Sequence, residues 1–74
     1  MYYTKRLKDI REFYELTQEQ VAKGIGMKQE QYQRYEAGKN EIKASHVIKL
    51  CRFYNLSADY ILGITSIKKE MPKK

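Results

Sequence analysis

The chain has 74 residues, a net charge of +6 and a single cysteine. That length allows one domain with a small core; the lone thiol excludes an intrachain disulfide and suits a cytoplasmic setting. No apolar run approaches a membrane span and no signal peptide opens the chain. The basic balance favours a polyanionic partner, although Lys68, Lys69, Lys73 and Lys74 against Glu70 place half of the excess in the last residues.

In chain order, Tyr3, Leu7, Ile10 and Tyr14 mark the apolar stripe of a first helix, roughly Lys5 to Tyr14. Arg11 lies on that same stripe, where a charge needs a partner. Glu36, on the inward side of a later helix, is the partner expected; the alternative is that both side chains run out to water. Thr17 and Gln20 form a capping box that starts a second helix at Gln18. Val21, Ala22 and Ile25 share one face, and Ala22 is small enough for a close helix crossing. Gly24 inside this helix costs about 1 kcal/mol against Ala. Gly26 sits where the helix ends and φ turns positive, with Met27 as a buried turn residue.

A third helix runs from about Lys28 to Ala37, with Tyr32 and Tyr35 inward, and Gly38 stops it. Counted from Gln18, apolar or small residues stand at positions 4, 5, 8, 9, 10, 15 and 18. This is the spacing of two helices joined by a short turn and crossing near a right angle. The outward face of the third helix is then Lys28, Gln29, Glu30, Gln33 and Arg34. Those side chains suit base edges and phosphates. The plainer reading is the polar face of any small bundle; the turn spacing, the capping box and the basic charge argue against it.

Lys39 to Lys43 form a polar loop anchored by Ile42. Ser45 is expected to cap a fourth helix whose Val47, Leu50, Cys51 and Tyr54 face the core. Cys51 needs no reactive role there. His46 reads as a surface residue without a metal. Phe53 lies off the core stripe, packing either against the last helix or into a partner interface. Ser57 caps a short last helix holding Tyr60, Ile61 and Leu62, with Asp59 near its N-terminus, and Gly63 ends it. The expected fold is all-α: a five-helix bundle over residues 1–63 with a basic C-terminal tail over 64–74. That tail is disordered, extends the last helix, or reaches onto DNA.

LTQEQVAKGIG followed by YQRYEAGKNEI resembles the phage-repressor/Cro-type helix-turn-helix family, also called the xenobiotic-response-element family. The likeness continues through LSADYILG and so covers roughly Tyr3 to Gly63. The resemblance implies a lambda-repressor-like DNA-binding domain whose loop after the recognition helix follows the DNA backbone. Lys39, Asn40 and Lys43 become phosphate candidates on that ground. Gln18 joins them, since it stands at a helix N-terminus and the family uses a Gln there. The family also carries an Arg–Glu pair at the positions of Arg11 and Glu36. Its members dimerise through C-terminal helices, which makes Phe53, Ile61, Ile64 and Ile67 dimer candidates. Three departures stand out. Glu15 occupies a site where the family often has Gly or Asn, so either the link takes another form or that end is strained. Gly24 is the second. Tyr32 is the third, standing where many relatives have Ile or Val; its ring is expected to pack and its hydroxyl to reach solvent or a phosphate.

No catalytic constellation and no cofactor site are legible, so an enzyme is not expected. The function expected is a sequence-specific, double-stranded DNA-binding transcriptional regulator, a repressor in its simplest form, in the cytoplasm of a bacterium or phage host and associated with the nucleoid. Gln29 and Arg34 are the leading base readers, for adenine and guanine edges. Glu30 accepts from cytosine N4 or excludes a wrong register, and Lys28 and Gln33 read or position. A homodimer would meet an inverted-repeat operator with half-sites roughly 34–36 Å apart. A regulatory protein partner is the other partner considered. Two rival readings are a protein-interaction module with this fold, such as an antitoxin, and non-specific DNA packaging governed by lysines and salt.

Overall fold

The computed structural model describes residues 3–68. Five helices follow one another: α1 Tyr3–Phe13, α2 Gln18–Gly24, α3 Gln29–Glu36, α4 Ala44–Tyr54 and α5 Ala58–Ile61. No strand occurs among the described residues.

The helix starts follow their caps. Thr17 and Gln20 make the reciprocal capping box of α2: the Gln20 N–H donates to Thr17 Oγ1 at 3.1 Å, and the Thr17 N–H to Gln20 Oε1 at 2.8 Å. Ser57 Oγ accepts from the Tyr60 N–H at 3.2 Å and starts α5. Ser45 does not cap α4. The helix begins two residues earlier than a Ser45 cap implies, with Lys43 at the cap position and no side-chain hydrogen bond there. α1 likewise opens at Tyr3 and closes at Phe13.

All five helices end in the same way. A backbone N–H two or three residues past the last residue of each helix bonds back to the carbonyl five residues before it: Leu16 to Arg11, Met27 to Ala22, Lys39 to Arg34, Leu56 to Cys51 and Ile64 to Asp59. That closure requires a left-handed residue just before the donor. Gly26, Gly38 and Gly63 supply it without a steric penalty, and Asn55 supplies it as a residue that tolerates φ of 56°. Glu15 also sits at φ 56°. The α1–α2 link therefore has the ordinary form and is strained, by about 1–2 kcal/mol.

The core is continuous. Leu7 and Ile10 of α1 meet Val21, Ala22 and Ile25, then Tyr32 and Tyr35, then Leu50, Cys51 and Ile61. Tyr32, Leu7, Leu50, Ile61 and Val21 are fully buried. Burying each such side chain contributes roughly 1.5–3 kcal/mol. Burial also pushes the Cys51 thiol up from its ordinary value, so it serves as a small core residue. Three expectations are corrected. Ile61 is 0% exposed; the short helix turns it into the core, and it has no surface to give a dimer. Tyr14 is 40% exposed, because it follows the helix and stacks on the Tyr54 ring at 5.5 Å. Phe53 packs over α2 and not over the last helix. A Cβ added at Gly24 would run into its ring, so Gly24 leaves the space that the Phe53 ring occupies.

The residues after Gly63 fold back along α1 as far as they are described. Arg6 donates to the carbonyls of Tyr60 at 2.5 Å and Thr65 at 3.0 Å. The Lys68 ammonium lies 4.0 Å from the Phe13 ring centre. The part of the tail from 69 to 74 lies outside the described residues.

Candidate nucleic-acid interface

The geometry of α3 is set from its inner side. Arg11 Nε donates to Glu36 Oε2 at 2.8 Å, and a terminal guanidinium nitrogen donates to Oε1 at 3.0 Å. The other terminal nitrogen donates to the Leu16 carbonyl at 2.9 Å. The pair expected from the apolar stripe therefore exists, as a fork between α1 and α3. Its side chains are 13% and 5% exposed, so neither runs out to water.

Two further donors reach the same carboxylate. The Tyr32 hydroxyl donates to Oε2 at 2.5 Å and Gln18 Nε2 to Oε1 at 3.2 Å. The expectation that the Tyr32 hydroxyl reaches solvent or a phosphate is thereby overturned: the ring is 0% exposed and its oxygen ends on Glu36. Burial alone would raise the Glu36 carboxyl. The hydrogen bonds from Arg11, Tyr32 and Gln18 outweigh it and hold the group below its ordinary value. The same hydrogen bond raises Arg11, against the opposing effect of its burial. Burial first, and the bond to Glu36 second, raise the Tyr32 phenol.

A second clasp holds the C-terminal end of α3. The Tyr35 hydroxyl and His46 Nδ1 lie 2.6 Å apart. His46 is half-buried and not a plain surface residue. Burial, then the charges of Lys49 and Lys43, lower its pKa. At the far end of the intervening loop the Ile42 N–H donates to the Tyr3 hydroxyl at 2.8 Å. The loop carrying Lys39 and Asn40 is thus spanned by the Tyr35–His46 contact between α3 and α4 and held near its far end by the Tyr3 hydroxyl.

The outer side of α3 contrasts with this. Lys28, Gln29, Glu30, Gln33 and Arg34 are all exposed. None of their side chains has a hydrogen bond or ion pair within the described residues. Lys28 stands at the helix cap, where its N–H meets Gln31 Oε1 at 3.4 Å. Gln29 and Gln33 lie one turn apart and Glu30 and Arg34 one turn apart, so these four share one face, with Lys28 at its N-terminal edge. Lys39, Asn40 and Lys43 are exposed on the flanking loop. Gln18 is half-buried and committed by one N–H to Glu36. Among the dimer candidates Ile64 and Ile67 are 63% and 66% exposed, and Phe53 is 38% exposed beside Gly24.

Sequence reasoning missed the Gln18–Glu36 and Tyr35–His46 contacts. Both join residues on separate helices, and no local spacing signals them. Among the described residues no cluster of His, Cys, Asp and Glu suits a metal ion. No described helix is long and apolar enough to cross a membrane.

A family model described as helix-turn-helix matches residues 7–61. Over 63 residues the chain is 40% identical to a Bacillus subtilis (strain 168) protein named "Uncharacterized HTH-type transcriptional regulator YobD", covering 85% of the chain and 56% of that protein. It is 37% identical over 54 residues to the cryptic phage CTXphi transcriptional repressor RstR of Vibrio cholerae, covering 73% of the chain and 49% of the repressor. It is 30% identical over 66 residues to the HTH-type transcriptional regulator ImmR of Bacillus subtilis (strain 168), covering 89% and 52%. The chain therefore spans about half the length of the relatives it matches. No solved structure gives a significant match.

Proposed function

The chain belongs to the helix-turn-helix family, and from that premise we propose that it is a transcriptional regulator that binds double-stranded DNA in a sequence-specific way and represses by occupying its operator. The observation that carries this reading is the asymmetry of α3. Its inner residues are held by the Arg11 fork on Glu36, by the Tyr32 hydroxyl on the same carboxylate and by the Tyr35–His46 contact, while its outer residues are exposed and without a protein partner among the described residues. A rigid helix offering uncommitted long polar side chains is what major-groove reading requires. Two of the relatives are named as a phage repressor and as a transcriptional regulator, which fits the same role.

In this reading Gln29 takes adenine N6 and N7, and Arg34 takes guanine O6 and N7. Lys28, Glu30 and Gln33 complete the base-facing set. Gln18, Lys39, Asn40 and Lys43 lie at its edges and hold phosphates, which fix register without reading sequence. The chain acts as a homodimer on an inverted repeat. The exposed apolar side chains of Ile64 and Ile67, with the rim of Phe53, are offered to that contact.

The test is selection from a pool of random duplexes at physiological salt. The expected result is enrichment of an inverted repeat. Salt-sensitive retention without an enriched sequence would mean packaging by charge alone. No retention would transfer the role to protein–protein binding.

A further inference from the structure

Glu36 collects more donors than an ion pair needs. The Arg11 fork already satisfies one edge of the carboxylate, at 2.8 and 3.0 Å. The Tyr32 hydroxyl and the Gln18 carboxamide are added to it. Tyr32 has no freedom, because its ring is enclosed. Gln18 differs. It is only half-buried and carries a long side chain that, unrestrained, samples many rotamers. A carboxamide has two N–H groups. One is on Glu36 Oε1, and the other takes no partner among the described residues.

We propose that Glu36 is a positioning residue for DNA binding: it holds the Gln18 carboxamide with one N–H on its own Oε1 and the other presented to a backbone phosphate, while Arg11 and the Tyr32 hydroxyl fix the carboxylate. The proposal rests on the reading of Gln18 as a phosphate contact. A bare carboxylate beside a phosphate would repel it. Arg11 removes that objection, since its guanidinium is bound to both oxygens and leaves the cluster without net negative charge. Ordering Gln18 before DNA arrives removes a cost otherwise met on binding. The Tyr32 hydroxyl holds the carboxylate on Oε2, the oxygen that Gln18 does not use. Three groups on two helices, Arg11, Tyr32 and Glu36, thus converge to orient one half-buried amide.

The experiment uses the selected duplex with a neutral methylphosphonate placed at one backbone position at a time. Binding is measured for the wild-type chain and for Gln18→Ala, Tyr32→Phe and Glu36→Gln. In the wild type one position per half-site is expected to weaken binding by about tenfold, and Gln18→Ala should abolish that sensitivity, which identifies the phosphate. At that position alone Tyr32→Phe and Glu36→Gln should reduce the loss to about threefold or less. Tyr32→Phe keeps the buried ring, so its helical content is expected to match the wild type. A loss that stays near tenfold in both variants would overturn the proposal. Equal weakening at every phosphate would overturn it too, by reducing Glu36 to a stabilising role. If no position depends on Gln18, the phosphate contact itself is wrong and the proposal goes with it. If the wild type binds no duplex, the failure lies with the DNA reading as a whole.

Discussion

The two sides of α3 are eight residues of the same helix under opposite rules. On the inner side every polar atom has a partner: Glu36 has Arg11, Tyr32 and Gln18, and Tyr35 has His46. On the outer side Gln29, Glu30, Gln33 and Arg34 have none among the described residues. The difference separates two kinds of importance. Removing an inner group leaves a desolvated partner behind, which is expensive. Removing an outer group leaves only water in its place, so its effect appears in binding and not in folding.

The largest expected effect comes from breaking the inner side. Arg11→Ala strands a carboxylate whose side chain is 5% exposed. It should destabilise the fold by about 3–5 kcal/mol, read from urea or thermal unfolding. A midpoint unchanged from wild type would show that the fork contributes nothing. The supports behind α3 come next. Gly24→Ala drives a methyl into the Phe53 ring and should cost about 1–3 kcal/mol as overpacking. In a Phe53→Ala background the same change should reverse sign and gain about 1 kcal/mol, since only helix propensity remains.

Acid tests the inner side without a mutation. Glu36 is held below its ordinary value of 4.5. Its contribution is therefore fully present above 4.5 and is lost as the pH falls through the folded value. His46 is also depressed, from 6.5. Its contribution is present above 6.5 and declines as the pH drops below that. Unfolding midpoints should fall in two stages on acidification, and His46→Gln should remove the upper stage only. The smallest structural effect is a gain. Glu15→Gly relieves a left-handed glutamate and should stabilise by about 1 kcal/mol. An unchanged midpoint would show that the strain is offset within the link.

The outlines of this comparison were legible in the chain itself. The Thr17–Gln20 capping box, the Gly26 turn and the Tyr32–Tyr35 stripe each follow from spacing within one helix or turn. Arg11 was legible as a problem, a charge on an apolar stripe, and Glu36 as its answer. What spacing could not supply was contact between residues distant in sequence. Gly24 reads as a defect until Phe53 is seen lying over it. His46 reads as a surface residue because Tyr35 stands eleven residues away across a loop. Ile61 was misplaced for another reason: a helix of four residues is too short for its pattern to say which side faces in. The outer residues of α3 were legible from spacing within one helix, as the long polar positions left facing outward once Tyr32 and Tyr35 turn in.

The most direct of these compares Arg34→Ala and Gln29→Ala with the wild type, in affinity for the selected duplex and in unfolding midpoint. The account predicts a loss of about 1–3 kcal/mol in binding, with relaxed preference at the base each residue reads. It also predicts unfolding midpoints within about 0.5 kcal/mol of wild type. Full binding by both variants, with the same sequence preference, would contradict the claim that this face reads DNA.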